Sequence, residues 1–314
     1  MSINLHHLRL FAAVVHHGGF TKAAAKLNLS QPAISKSLNE LERQLDVNLL
    51  DRTGRSIRLT DAGKTLYARA RELFGVETAA EQELRELRGL KRGTLRIAAS
   101  TTIATYMLPP YLGRFRLRHP GVRIQTTSAN TRTVLRMLLE FRVDVALVEG
   151  PVSSHRVVVH PWREDELIVI APPDHPLRAQ AKVDVHELAK HTFLVREPGS
   201  GTRVVTEQSL SMRGVRLTNT MRVGGTEAIK QGVAAGLGLA IVSRAAAADQ
   251  LALGRVTVLP VEGLSMRRTL AQIKLHGRSS TASARELELL LAESLDGESV
   301  GDASGDAGLV PIST

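Results

Sequence analysis

The sequence predicts an α/β chain in three parts: a small helical head closed by a β-hairpin, one long helix, and a two-lobed α/β region. Three observations carry this. Residues 18–60 read as two short helices around a tight turn, followed by two short apolar runs flanking Thr53-Gly54. From Thr60 to about Leu90, apolar residues recur in alternating steps of four and three. Beyond Thr94, strand-like and helix-like segments alternate in two successive units, the pattern of parallel sheets covered on both faces.

In the head, the first short helix is expected to start at Thr21 as N-cap and to bury Ala23, Ala24 and Leu27. Small alanines let a second helix approach closely. That helix is capped by Ser30, has Pro32 in its first turn, where a missing N–H costs little, and buries Ile34, Leu38, Leu41 and Leu45. Its opposite face carries Gln31, Ser35, Lys36 and Asn39, which can reach base edges and phosphates. Two helices around such a turn form the layout that seats a recognition helix in the DNA major groove. The plainer alternative is a helical hairpin with a solvated polar face. The following hairpin, with Arg52, Arg55 and Arg58, reads as a wing whose arginines meet phosphates or the minor groove, or else as a solvated loop.

The ordered pattern Leu8-Arg9-Leu10-Phe11, Phe20-Thr21-Lys22-Ala23-Ala24, Leu27, Ser30-Gln31-Pro32-Ala33-Ile34-Ser35, Leu41-Glu42, Leu49, Arg52 and Leu59-Thr60-Asp61-Ala62-Gly63 resembles the LysR-type transcriptional regulators. The family usually has Gly where this chain has Asp46 and Phe where it has Leu50. Asp tolerates a left-handed helix end and Leu still fills a core position, so neither departure threatens the fold. The resemblance implies a winged helix-turn-helix that binds double-stranded promoter DNA as a homodimer or homotetramer. Its contacts would come from Thr21, Ser30, Gln31, Pro32, Ser35, Lys36, Asn39, Arg52 and Arg55.

Composition agrees with an anionic partner: 314 residues carry a formal charge of +10. Without cysteine, disulfides and thiolate metal sites are excluded. The N-terminus, broken by Arg9 and paired histidines, does not read as a signal peptide, and the apolar stretch Gly232 to Ser243 is too short to span a bilayer. A soluble cytoplasmic protein without membrane contact is expected.

The long helix places Leu66, Ala70, Leu73, Glu77, Ala80, Leu84 and Leu87 at heptad spacing, which predicts pairing with another long helix. A helix lying on its own domain is the alternative, and Glu77 in the seam departs from a perfect coiled coil. Strands are expected at 94–99, 122–127 and 143–148, with helices from Tyr106 to Arg118 and Val134 to Phe141. A second unit runs from Glu166–Ile170 through Phe193–Val195, a helix Val204 to Met212, Arg216 to Val223, Ile229 to Ala235 and Leu239 to Val242. The chain then returns through Thr269–Leu275 and a last helix from Ala282 to Leu295. The parts are therefore a head at 1–60, a dimerisation linker at 61–92, an effector region at 93–295 and a disordered tail at 296–314. Lobe one takes 93–163 and 269–295, and lobe two takes 164–268. Two lobes joined by two crossings leave a cleft, which matches the periplasmic-binding-protein-like effector domain of the LysR-type family.

Catalytic chemistry finds no support. His186 and His191 lie five apart, about 500° around a helix, and cannot share a face as a zinc pair does. Gly236-Leu237-Gly238 precedes a strand and reads as a helix stop rather than a dinucleotide loop. With no nucleophile elbow or phosphate loop, the chain is expected to be no enzyme and to need no cofactor or metal. Ser100-Thr101-Thr102 and Ser200-Gly201-Thr202, each between a strand and a helix, could hold a small anion at helix starts, or serve only as caps. The resemblance implies effector binding near these positions, with Thr127, Ser128, Asn130, Glu149 and Thr226 at neighbouring strand ends. A solute receptor and an α/β enzyme are the rival readings, disfavoured by the first ninety residues and by the missing catalytic set.

Overall fold

The structure, a computed structural model, describes residues 2–51, 57–86 and 93–293. Arg52 and Arg55, Leu87 and the tail from 296 lie outside the described residues.

The head packs α1 (Leu5–His17), α2 (Phe20–Leu27) and α3 (Gln31–Leu45) around Phe11, Val14, Ala23, Ile34, Leu38 and Leu41, all fully buried. Burial of Ala23 and Ala24 is what brings α2 close to its neighbours, since neither side chain extends beyond Cβ. The start of α2 differs from the expectation: it begins at Phe20, and Thr21 is exposed within its first turn. The link is too short for a Thr21 cap, because left-handed Gly18 closes α1 and Phe20 already packs against the core. Ser30 caps α3, its Oγ accepting the Ala33 N–H at 3.3 Å, and Pro32 occupies the first turn. Asp46 adopts the left-handed conformation at the end of α3 (φ +54°), and Leu50 is buried. β1 (Leu50–Asp51) and β2 (Arg58–Leu59) pair antiparallel, and Glu42 Oε1 accepts the N–H groups of Leu49 and Leu50 to fix the approach to β1.

α4 (Asp61–Glu86) is entered through a tight joint. Thr60 Oγ1 donates to the Asn48 carbonyl at 2.7 Å and accepts the Gly63 N–H at 3.0 Å. Gly63 is required there, because a Cβ would lie 2.0 Å from the Leu49 carbonyl oxygen. The heptad stripe divides between two uses. Leu66 and Ala70 belong to the head core, whereas Leu73, Val76 and Leu84 remain 41%, 58% and 65% exposed. Glu77, the irregular seam residue, is held by Arg9 of α1 at 2.6 Å.

Lobe one contributes β3 (Gly93–Ser100), α5 (Pro109–Arg118), β4 (Val122–Ala129), α6 (Thr131–Leu139) and β5 (Val145–Glu149). The long β6 (Val157–Ala171) leads to β7 (Phe193–Val195), α7 (Gly201–Ser211), β8 (Thr220–Arg222), α8 (Thr226–Ala234) and β9 (Leu239–Ser243) of lobe two. After α9 (Arg244–Ala252) and β10 (Thr257–Val258), β11 (Met266–Leu275) returns to lobe one, where α10 (Ala282–Ala292) ends the described chain. One sheet runs β4-β3-β5-β11-β6-β9-β7-β8, with β10 also on β6. Its two outer sets, β4-β3-β5 and β9-β7-β8, are parallel. Between them β6 and β11 run antiparallel, from Val157 opposite Leu275 to Leu167 opposite Met266, and form the two crossings.

Three elements depart from expectation. The helix read from Tyr106 opens as a π-helical turn, Ile103–Met107, and α5 starts afresh at Pro109, since Pro109 and Pro110 offer no N–H to the preceding carbonyls. α7 begins at Gly201 instead of Val204, because Ser200 Oγ accepts the Arg203 N–H at 3.4 Å. β8 keeps only Thr220–Arg222 of the longer run, as left-handed Gly214 turns the chain and Val215 is drawn into the core. Lobe one also rests on α4. Phe141 packs so tightly on Gly75 that a Cβ there would lie 2.1 Å from the Phe141 Cβ, while Arg156 reaches Glu72 at 2.8 Å and Arg71 pairs with Glu140.

Candidate functional site

Two surfaces carry the candidate residues. On the head, α3 leaves Gln31, Pro32, Lys36 and Asn39 exposed and Ser35 half-buried, with Thr21 and Ser30 exposed beside them. Lys22, Lys26 and Lys36 project from α2 and α3 without ion pairs among the described residues, a positive edge suited to phosphates. The same helix uses Ile34, Leu38 and Leu41 for its buried side, so its register is fixed and the polar side can face only outward.

The second surface lies where the carboxyl ends of the two parallel strand sets meet, the crevice position for ligands in open α/β sheets. On the lobe-one side β3 ends at Ser100, which is fully buried, and its Oγ has no hydrogen-bond partner. Thr102 is buried beside it, and half-buried Thr101 faces lobe two, where its Oγ1 accepts from Arg196 Nη2 at 3.3 Å. Arg196, buried at the end of β7, also donates to Thr226 Oγ1 at 2.9 Å and makes a two-pronged contact with Glu197 at 2.9 and 3.0 Å. Asn130 caps α6 through Oδ1 and donates Nδ2 to Glu197 Oε1 at 3.3 Å. Burial alone would raise the Glu197 carboxyl, but the Arg196 and Asn130 hydrogen bonds and Arg196's charge outweigh it and hold the group below its usual value. Tyr106 adds a third bridge, its hydroxyl donating to Glu227 at 2.9 Å, with Lys230 over its ring.

Other candidates are committed to holding the lobes together. Glu149 is buried at the end of β5, with its Oε2 2.8 Å from Arg268 Nη2. Arg268, on the returning crossing, also contacts Asp165 at 2.7 Å and donates Nη1 to Thr202 Oγ1 at 2.9 Å. Thr202 in turn donates to Glu149 Oε1 at 3.2 Å, and Ser243 donates to Asp165 at 2.6 Å. Gly201 lets α7 meet lobe one directly, since a Cβ would lie 1.6 Å from the Glu149 carbonyl oxygen. Ser200 is the α7 cap. Thr127 and Ser128 stand exposed on the edge strand β4, opposite Ala98 and Ala99 of β3.

Residues 5–64 match the family model described as "Bacterial regulatory helix-turn-helix protein, lysR family", and residues 88–296 match the "LysR substrate binding domain". The chain is a LysR-type transcriptional regulator. It is 36% identical over 294 residues to the RuBisCO operon transcriptional regulator of Allochromatium vinosum, covering 93% of this chain and 97% of that one. The regulator shares its fold with a full-length OxyR variant from Pseudomonas aeruginosa, at a TM-score of 0.69 and 24% identity over 93% of this chain and 94% of that one. The regulatory domain of Synechocystis CcmR, solved in complex with 2-PG, superposes at a TM-score of 0.59 with 26% identity. That match covers 64% of this chain and 96% of the other. These relatives mark a DNA-binding regulator with an effector-binding domain, not an enzyme. Among the described residues no helix is long and apolar enough to cross a membrane, and no cluster of three or more His, Asp or Glu could hold a metal.

Arg196, Glu197 and Tyr106 escaped the sequence reading. Position could have found Arg196 and Glu197, because both directly follow an apolar strand whose carboxyl end points at the cleft. The Tyr106–Glu227 bridge joins residues 121 apart in sequence and has no local signal.

Proposed function

We propose that this regulator binds operator DNA as a dimer or tetramer through α3, and that a small anionic metabolite between the lobes switches its DNA-bound geometry. The observation that supports the effector site best is the Ser100 hydroxyl: fully buried, unpartnered, and next to the Thr101–Arg196 bridge that joins the lobes. An unpaired buried hydroxyl costs about 1–3 kcal/mol. A ligand oxygen reaching Ser100 would remove that penalty and could share the Arg196 guanidinium with Glu197. Thr101, Thr102 and Thr226 supply further hydroxyls at the same strand ends, while Glu149 and Thr202 act as the lobes' fixed hinge beneath them. Such a ligand shifts the assembly only by its differential affinity for the two lobe arrangements. No cofactor enters this scheme, and working on DNA the protein would act in the cytoplasm.

Dimerisation rests on the exposed Leu73, Val76 and Leu84 of α4, which need an apolar partner. Genomic footprinting of the full chain with carboxylates, sulfate and phosphate esters tests the scheme. Gln31→Ala should relax base preference by about 1–3 kcal/mol on the preferred site. Leu73→Arg with Leu84→Arg should abolish the footprint, because a dimer must span both half-sites. Unchanged operator affinity in the Gln31 variant, or a footprint from a monomer, contradicts the scheme.

A further inference from the structure

Lobe two contains a cavity of about 550 Å³ lined by residues of α7, β7 and β9. Its floor is apolar, built from Phe193 of β7, Ile241 of β9 and Leu210 of α7, all otherwise core residues. Thr206 of α7 lines one wall, and the mouth carries Arg203, Glu207 and Arg216. Arg203 is spent internally, with Nε donating to Glu207 at 2.7 Å and Nη1 to the Arg196 carbonyl at 3.1 Å. Arg216 is exposed and forms no hydrogen bond or ion pair among the described residues. The cavity therefore combines an apolar floor, walls that include Thr202, Thr206 and Thr220, a neutralised Arg203–Glu207 pair and one uncompensated positive charge at its mouth.

We propose that this cavity is a second small-molecule site, taking an organic monoanion with an apolar body, such as an aromatic or medium-chain carboxylate or sulfonate. The volume falls within the roughly 300–1,000 Å³ of small-molecule pockets. A small hydrated ion such as phosphate or sulfate would leave the Phe193–Leu210–Ile241 floor unfilled, and that floor offers it no donors. A second negative charge would meet Glu207. The site is placed to influence the cleft: Arg196 and Thr202 line the cavity and also make the Arg196–Thr101 and Thr202–Glu149 bonds between lobes. Its occupant biases the cleft only as far as it binds one lobe arrangement better than the other. This site does not depend on the effector assignment above.

The test is fluorescence titration of the full chain with 8-anilinonaphthalene-1-sulfonate and with its uncharged analogue N-phenyl-1-naphthylamine. The sulfonate should saturate at one molecule per chain, at least about tenfold tighter than the uncharged dye. Arg216→Glu, an exposed change that spares the core, should weaken the sulfonate about tenfold and leave the uncharged dye unchanged. Thr206→Phe, which fills the cavity, should abolish saturable binding of both, and Ser100→Ala should alter neither. Absence of saturable binding to the wild type overturns the proposal, as does a sulfonate affinity indifferent to Arg216→Glu. If Thr206→Phe fails to fold by circular dichroism, the Arg216 variant and the dye pair decide alone.

Discussion

Replacing Arg268 with Met removes one guanidinium from a site where two carboxylates depend on it. Arg268 is 2% exposed at its side chain, Glu149 1% and Asp165 3%, with contacts of 2.8 and 2.7 Å. Without the cation, Glu149 retains the Thr202 hydroxyl and Asp165 the Ser243 hydroxyl, neither of which neutralises a charge. Breaking a buried ion pair by removing one partner costs about 3–5 kcal/mol, most of it the penalty of the stranded charge. At roughly 2–4 °C per kcal/mol for a domain of this size, the effector region should melt on the order of 10 °C lower. Differential scanning calorimetry of the full chain reads this directly. Adding Glu149→Gln and Asp165→Asn to the same chain removes the stranded charges and should recover much of the loss. A single Arg268→Met variant within about 1 kcal/mol of the wild type would refute the reasoning, because a charge that matters so little is not the cation holding two buried carboxylates.

Two further outcomes follow from contacts between parts of the molecule. Gly75→Val puts a side chain where Phe141 packs, with Cβ at 2.1 Å from its Cβ, so lobe one should separate from α4 at a cost of about 1–3 kcal/mol. Small-angle scattering should then show a larger radius of gyration, and an unchanged one counts against this docking. The depressed Glu197 carboxyl contributes stability through its bonds from Arg196 and Asn130 fully above the ordinary glutamate value, about 4.3, and loses that contribution as pH falls through the lower folded value. Melting curves between pH 6 and 3, on the order of these carboxylate values, should fall less steeply for Glu197→Gln than for the wild type, and equal slopes contradict the assignment.

Periodicity explains what was legible in the sequence. Ile34, Leu38 and Leu41 repeat every three or four residues, so the buried and outward faces of α3 follow from helix geometry alone. Strand–helix alternation likewise gave the two lobes and their crossings. Legibility failed where one residue answers to two neighbours. Leu66 and Leu73 carry the same heptad signal, yet the first packs into the head and the second faces outward, because the head ends partway along α4. Glu149 and Thr202 stand out in the sequence only by their strand-end and helix-start positions. Both also bond Arg268, which lies 119 and 66 residues away in sequence. No local pattern announces an ion cluster assembled across two crossings.

The most direct test of the effector site is Ser100→Ala, measured twice in the same full-length protein. If the buried Oγ waits for a ligand, its removal eliminates an unsatisfied group, and the melting temperature should hold or rise slightly. Calorimetric affinity for whichever anion shifts the operator footprint should fall about tenfold, near 1.4 kcal/mol, the worth of one lost hydrogen bond. A variant that melts lower while binding that anion as tightly as the wild type would show Ser100 to be a structural residue and place the effector elsewhere.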